Sequence, residues 1–235
     1  MVEIKGLEKF ASKDYPGFIA ATVFLGGCNF RCPFCDNPDL VLRPNELATF
    51  PVDFFLSFLD TRKGWLEAVC VTGGEPLLSD DLEPLLILIK ERGLRVKVDT
   101  NGSFPERLDD LLKKGYVDCV AMDIKSSLHK YSEAAGVKVD TDLIQQSIRL
   151  IREADIESIF RMTVVPELVN EEDIKAVSEM LQGAELFQLQ QFKPGRTIDP
   201  KFKDLKPYPA ARIKVLAGMA EPYFTEVKIE GVKSW

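Results

Sequence analysis

The sequence is poor in the features that mark several classes of protein. Of its 235 residues only His129 is a histidine, and three of the five cysteines fall within eight positions. An odd, clustered set of cysteines disfavours a disulfide framework and favours a reducing compartment, so we expect the cytoplasm. No signal peptide is recognisable, and no apolar run approaches the roughly 18 residues that span a bilayer. The formal net charge of −7 disfavours a general nucleic-acid-binding protein. We therefore expect neither a membrane nor a nucleic acid as a partner.

What the chain does contain is typical of a globular protein. Hydrophobic residues make up 46% of it and charged residues 29%. No linker, low-complexity segment or short repeat interrupts the sequence. We predict a single domain over residues 1–235, long enough to bury one sizeable core.

Strand patterns alternate with helix patterns along the chain. Strands are predicted at 18–25, 68–72, 95–99, 117–124, 158–165 and 186–192, with a further short strand at 226–232. Helices are predicted at 51–62, 80–92, 105–114, 142–154, 171–182 and 210–220. Asp80 and Glu83 have the spacing of a capping box, and Asn170 is expected to cap a later helix. The alternation predicts an α/β fold with parallel strands, either an open doubly wound sheet or an incomplete barrel. Unusual polar residues follow the strand ends, which favours the barrel.

Cys28, Cys32 and Cys35 form a C-x3-C-x2-C motif directly after the first predicted strand. Thiolates hold iron–sulfur clusters. Three cysteines around a four-iron cluster leave one iron open to a ligand that is not protein. Zinc usually takes four ligands from two separated pairs, and the sequence has no second C-x2-C. The spacing therefore predicts a [4Fe-4S] cluster.

Two further groups of polar residues follow predicted strands. Gly73 and Gly74 allow close approach of backbone to a ligand, and Glu75 adds a carboxylate that can hold a cation. Asp123 and Lys125 stand two positions apart and so point to the same side. A surface ion pair is the alternative interpretation of the second group.

Other polar and thiol side chains lie in or after the strands. Asp99 begins the segment DTNG at 99–102, for which an Asx-type turn is the alternative interpretation. Arg161 interrupts an apolar strand, so its guanidinium needs a carboxylate, a ligand, or both. Cys70 and Cys119 lie within predicted strands, and we expect buried structural thiols there.

The cysteine motif, with Phe34 before its last cysteine, resembles the signature of the radical S-adenosylmethionine (SAM) superfamily. The resemblance implies a partial (β/α)6 barrel, with a parallel sheet and outer helices. It implies that SAM chelates the fourth iron and that one electron cleaves it to methionine and a 5′-deoxyadenosyl radical. The implied SAM contacts are Gly73, Gly74 and Glu75 for the amino group, Asp123 and Lys125 for the ribose and carboxylate region, Arg161, and Phe34 beside the adenine.

Nearly the whole chain resembles one group of glycyl-radical-enzyme activases, the anaerobic ribonucleoside-triphosphate reductase activating proteins. The matching segments are DYPG at 14–17, GGCNFRCPFC at 26–35, TGGEPLL at 72–78, DTNG at 99–102, MDIK at 122–125 and QFKPG at 191–195. This resemblance implies that the protein makes a glycyl radical on anaerobic ribonucleotide reductase, with electrons from a flavodoxin- or ferredoxin-type donor. It also implies a monovalent cation near the SAM carboxylate, held by Asp99, Thr100 and Asp123.

The sequence departs from these activases at two places. Asp36 stands where relatives often have a histidine. Gln188, Gln190 and Gln191 occupy a strand where related activases tend to have a histidine.

Two other functions remain open. A radical SAM enzyme acting on a small molecule, similar to 7-carboxy-7-deazaguanine synthase, would need added polar ligands and a magnesium site. A non-catalytic iron–sulfur electron carrier or sensor would need a fourth ligand to the cluster.

Overall fold

A computed structural model describes residues 2–232 and contains an eight-stranded sheet, with the strands in sequence order. The strands are β1 Ile4–Ala11, β2 Ala20–Leu25, β3 Ala68–Gly73, β4 Arg95–Thr100, β5 Cys119–Asp123, β6 Glu157–Val164, β7 Leu186–Gln191 and β8 Glu226–Glu230. β1 pairs antiparallel with β2, and every later pair of neighbours is parallel. Within the described residues β1 and β8 remain the two edges, so the sheet does not close into a full barrel.

Helices connect the parallel strands and pack on the outer face of the sheet. They are α1 Pro38–Leu42, α2 Val52–Thr61, α3 Leu82–Lys90, α4 Pro105–Lys113, α5 Tyr131–Ala135, α6 Thr141–Glu153, α7 Glu171–Met180 and α8 Ala210–Ala220. On α6, Ile144, Ile148 and Ile151 recur at helical spacing and are buried against the sheet. None of the helices described in residues 2–232 is long and apolar enough to cross a membrane.

The inner face of the sheet has its own packing. Strand residues on this face are small, as at Ala20, Ala68 and Ala121, and each is fully buried. Tyr15, from the loop between β1 and β2, packs with them and closes one end of the sheet's interior. Small side chains leave room in the interior, so the opposite end, where the parallel strands finish, can hold a cavity.

The structure confirms the α/β fold and the six strand–helix units from β2 to α8. Every predicted strand and helix is present, with bounds that differ by at most two residues. Asn170 caps α7 as expected. Sequence reasoning missed β1, α1 and α5, which are short or lie at an edge.

The predicted capping box of α3 is wrong. This helix begins at Leu82, so Asp80 and Glu83 do not stand at its cap and third position. Instead, Asp80 accepts a hydrogen bond from Arg107 of α4, and Glu83 pairs with Lys114, which follows the last residue of α4. Tertiary partners therefore decided the role of both acids.

Candidate active site

A cavity of about 380 Å³ lies at the carboxyl ends of the parallel strands, within the size range of ligand sites. Strand ends and the loops that follow them supply most of its walls, and the loop between β1 and β2 and residues within β4, β6 and β7 supply the rest. Most of the residues predicted for the site line it: Cys28, Cys32, Phe34, Cys35, Gly73, Gly74, Asp99, Thr100, Asp123, Lys125 and Arg161. Glu75 does not belong to this lining.

The cysteine loop is fixed by backbone contacts. Phe30 N–H donates to Cys28 Sγ at 3.3 Å, and Cys35 N–H donates to the Cys32 carbonyl at 3.0 Å. Arg31 N–H donates to the carbonyl of Ala135 at 2.8 Å, which ties the loop to α5. The loop therefore presents its three thiols to the cavity from a braced backbone.

The three thiols fit a cluster of soft metal ions. Burial raises the pKa of Cys28 to about 11 and that of Cys32 to about 12, and it also raises the pKa of Cys35, while Lys125 opposes each shift. Metal binding would displace these protons. Cys70 and Cys119 are buried in β3 and β5, outside the cavity lining. In residues 2–232 no group of three His, Cys, Asp or Glu side chains could hold a single metal ion.

Two glycines let the cysteine loop approach the end of β3. Gly73 has a φ of +118°, which side chains disfavour, and a Cβ on Gly74 would overlap the Gly27 carbonyl oxygen. Gly74 N–H donates to the Leu25 carbonyl at 2.9 Å, and Glu75 N–H donates to that of Gly27 at 2.8 Å. These glycines are therefore needed for contact between two loops, in addition to lining the cavity.

Glu75 lies behind those glycines and is 1% exposed. Its carboxylate accepts hydrogen bonds from Leu77 N–H at 3.1 Å, Thr100 Oγ1 at 2.8 Å and Asn101 N–H at 2.6 Å. Burial raises the pKa of Glu75 to about 7, although these hydrogen bonds lower it. Asn101 in turn donates to Asn29 in the cysteine loop at 2.9 Å. Glu75 thus braces the junction of β4 with that loop.

Five charged side chains of alternating sign cross the inner face of the sheet. Arg161 donates to Asp99 and to Asp123 at 2.9 Å each, so its predicted ion pair is present. Lys97 pairs with Asp99, and Lys125 lies 3.4 Å from Asp123. Within this chain, Lys125 and Arg161 face the cavity and offer cations to a ligand that carries a carboxylate.

The cations keep both acids ionised. Burial alone would raise the pKa of Asp99, but Arg161 and Lys97 outweigh it and hold that pKa at about 2. Arg161 and Lys125 likewise hold the pKa of Asp123 below its usual range against the effect of burial. The pKa values of the three cations are raised by the carboxylates, again against burial.

The glutamines of β7 belong to a second polar group. Gln188 and Gln190 both donate to Glu230 of β8, the latter at 3.4 Å, and Gln191 donates to the Tyr208 carbonyl at 3.0 Å. All except Tyr208 line the cavity, as does Asp36. Sequence reasoning did not assign Glu230 to the site, since an acid in a short terminal strand carries no distinguishing pattern.

Lys97 and Asn101 were also missed. Lys97 stands between Val96 and Val98 in a predicted buried strand, so it carried the same signal as Arg161. Asn101 sits within the DTNG segment, where a turn role was the simplest interpretation. Only the tertiary structure shows Asn101 contacting the cysteine loop.

Comparison with known proteins agrees with the fold and with the superfamily that the sequence resembles. The profile of the Radical SAM superfamily matches residues 22–181. The chain therefore belongs to the radical SAM superfamily. The predicted cofactors, a [4Fe-4S] cluster and SAM, are confirmed as those of this superfamily.

Within the superfamily the chain is similar to activating enzymes. A protein of Methanocaldococcus jannaschii, provisionally named a glycyl-radical enzyme activating enzyme, is 32% identical over 234 residues, covering 97% of this chain and 96% of that protein. The pyruvate formate-lyase-activating enzyme of Streptococcus mutans is 29% identical over 229 residues, covering 90% of this chain and 84% of that enzyme.

The fold is similar to that of SuiB from Streptococcus suis, solved bound to S-adenosylmethionine. The TM-score is 0.68 at 18% identity, covering 87% of this chain and 48% of SuiB. The chain thus spans about half the length of SuiB. This likeness concerns the partial-barrel fold alone.

Proposed function

We propose that this protein activates a glycyl-radical enzyme in the cytoplasm, and that the partner is anaerobic ribonucleoside-triphosphate reductase. The observation that carries the proposal is the meeting of three thiols and a chain of paired charges in one cavity. The full-length similarity to the activating enzyme of M. jannaschii supports the reaction class. The choice of the reductase rests on the sequence resemblance described above, since pyruvate formate-lyase is the partner that the S. mutans relative's name gives.

The cavity residues would divide the work of holding the cofactors. Cys28, Cys32 and Cys35 would ligate the cluster through their thiolates. When bound and reduced by an outside donor, the cluster would supply the electron for the cleavage of SAM, and with it the means to remove a hydrogen atom from a glycine of the partner. Lys125 and Arg161 would attract the carboxylate of SAM, because both cations face the cavity.

Two backbone and packing features would complete the binding of SAM. The backbone of Gly73 and Gly74 can receive its amino group, since neither residue has a side chain in the way. Phe34 lines the cavity while 7% exposed, so it offers an apolar wall for the adenine. The separate edges β1 and β8 leave the barrel open at the side, where a loop of a partner protein could enter.

The proposal is tested by radical transfer to defined partners under anaerobic conditions. The chain is reconstituted with iron and sulfide, reduced through a flavodoxin or ferredoxin, and mixed with SAM and either anaerobic ribonucleotide reductase or pyruvate formate-lyase. We expect a glycyl radical signal by electron paramagnetic resonance on the reductase, with 5′-deoxyadenosine formed alongside. A radical signal on pyruvate formate-lyase alone would show that this enzyme, and not the reductase, is the partner. A lack of SAM cleavage with either enzyme would refute the proposed activating function.

Two lysine variants test whether SAM binds in the cavity. Lys125→Ala should keep the cluster absorbance and weaken SAM binding, because the ammonium faces the cavity. The exposed Lys138→Ala serves as the control and should change neither quantity. Equal SAM affinity in the two variants would show that Lys125 does not contribute to SAM binding.

A further inference from the structure

Lys97 is a buried ammonium in the wall of the cavity for which the proposed function above gives no role. Its side chain is 1% exposed and pairs with the carboxylate of Asp99, two positions along the same strand β4. Its Nζ also lies 3.6 Å from Cys70 Sγ. A lone ammonium at this depth is costly, and the contact with Asp99 provides the charge that compensates it.

The residues implied for a monovalent cation do not fit one. Lys97 contacts Asp99 Oδ1, and Arg161 donates to Asp99 Oδ2 at 2.9 Å. The oxygens of Asp123 are approached by Arg161 Nε at 2.9 Å and by Lys125 Nζ at 3.4 Å. Each carboxylate oxygen therefore has a cationic side chain as its partner.

The remaining implied ligand is also engaged elsewhere. Thr100 Oγ1 donates to Glu75 at 2.8 Å and accepts from Gly102 N–H at 3.0 Å. A sodium or potassium ion at this place would have to displace the ammonium of Lys97 from Asp99 Oδ1. The positive charge of Lys97 therefore disfavours the ion.

We propose that Lys97 takes the place of a monovalent cation, so that this protein binds SAM without one. The ammonium neutralises one oxygen of Asp99 and leaves the other to orient Arg161 toward the cavity. Lys97 is thus a positioning residue that acts through Asp99 and Arg161. The inference rests on the proposed function in one respect, that the ligand held by Arg161 is SAM.

The first test measures SAM affinity at constant ionic strength while sodium or potassium chloride replaces tetramethylammonium chloride. The reconstituted wild-type protein should bind SAM equally in all three salts. Lys97→Met should weaken SAM binding roughly tenfold or more in tetramethylammonium, because it breaks a buried ion pair. Sodium or potassium should restore much of that loss, and Lys97→Arg should need neither. A structural role alone would not give rescue by a small cation.

The matched control is Lys90→Met. Lys90 pairs with Asp118 at 2.8 Å on the outside of the sheet, so its removal should alter neither the affinity nor the salt response. Wild-type binding that requires sodium or potassium overturns the proposal, even if Lys97→Met fails to fold. A folded Lys97→Met variant that binds SAM with wild-type affinity in tetramethylammonium chloride also overturns it.

A second measurement omits SAM and so separates this inference from the proposed function. Bound sodium broadens its nuclear magnetic resonance line. The wild-type chain should leave the line width unchanged, and Lys97→Met should broaden it saturably. Saturable broadening by the wild-type chain, abolished by Asp99→Asn, overturns the proposal. A wild-type chain that fails to bind SAM refutes the proposed function. The sodium line width still shows whether Lys97 occupies the position of a monovalent cation.

Discussion

Replacing Glu75 with glutamine tests whether a buried carboxylate holds the end of β4 in place. One carboxylate oxygen accepts from Leu77 N–H at 3.1 Å and from Thr100 Oγ1 at 2.8 Å. The other oxygen accepts from Asn101 N–H at 2.6 Å. Glutamine has the same shape but only one acceptor oxygen.

The magnitude follows from counting the donors that lose a partner. If the amide oxygen faces Asn101 N–H, the amide nitrogen faces Thr100 and Leu77. The Thr100 hydroxyl can turn to accept a hydrogen bond, whereas Leu77 N–H can only donate. One buried backbone donor is then unpaired, which costs about 1–3 kcal/mol of unfolding free energy. For a chain of this size that corresponds to a fall in Tm of roughly 2–12 °C.

The assay is urea unfolding of the Glu75→Gln variant at pH 8, above the pKa of about 7 of Glu75. Glu83→Gln is the matched control, because Glu83 pairs with Lys114 at the surface, where its side chain is 33% exposed. The control should change the unfolding free energy by less than about 0.5 kcal/mol. A Glu75→Gln variant as stable as this control would refute the assignment of three donors to the carboxylate.

Three further outcomes are expected. The pKa of Asp99 lies at about 2 in the folded chain, below its ordinary 3.8. Its contribution of roughly 2 kcal/mol to the free energy of unfolding should therefore be present above pH 4 and be lost as the pH falls through 2. Asp99→Asn should lack this loss of stability in acid, and a variant with the same dependence on pH as the wild type contradicts the ion network. Cys28→Ala should abolish both cluster absorbance and 5′-deoxyadenosine formation, whereas Cys119→Ala should keep both; equal behaviour of the two variants contradicts the ligand assignment. Gly74→Ala should lower the unfolding free energy by more than about 2 kcal/mol, because a Cβ would meet a backbone carbonyl. Gly218 in α8 has open space around it, so Gly218→Ala should raise the free energy of unfolding by about 0.5–1 kcal/mol. Equal effects of the two glycine variants on urea unfolding would argue against the close loop contact at Gly74.

Much of the fold could be predicted because its signals are local. Hydrophobic period and turn residues marked every parallel strand and its following helix. The edge strand β1 escaped notice because three consecutive residues near its end, Glu8 to Phe10, are exposed. Helices α1 and α5 each have five residues, too few to show a periodic pattern.

The sequence by itself determined the spacing of Cys28, Cys32 and Cys35, the glycines after β3 and the positions of the charged residues. It also determined which side of its own strand each charged residue faces, since side chains alternate along a strand. The tertiary structure alone decided how neighbouring strands align. That register brings Asp123 beside Arg161, whose guanidinium also reaches Asp99 of β4. It also buried Glu75 against Thr100 and Asn101, outside the cavity lining, because burial and partner choice there depend on segments that lie far apart in the chain.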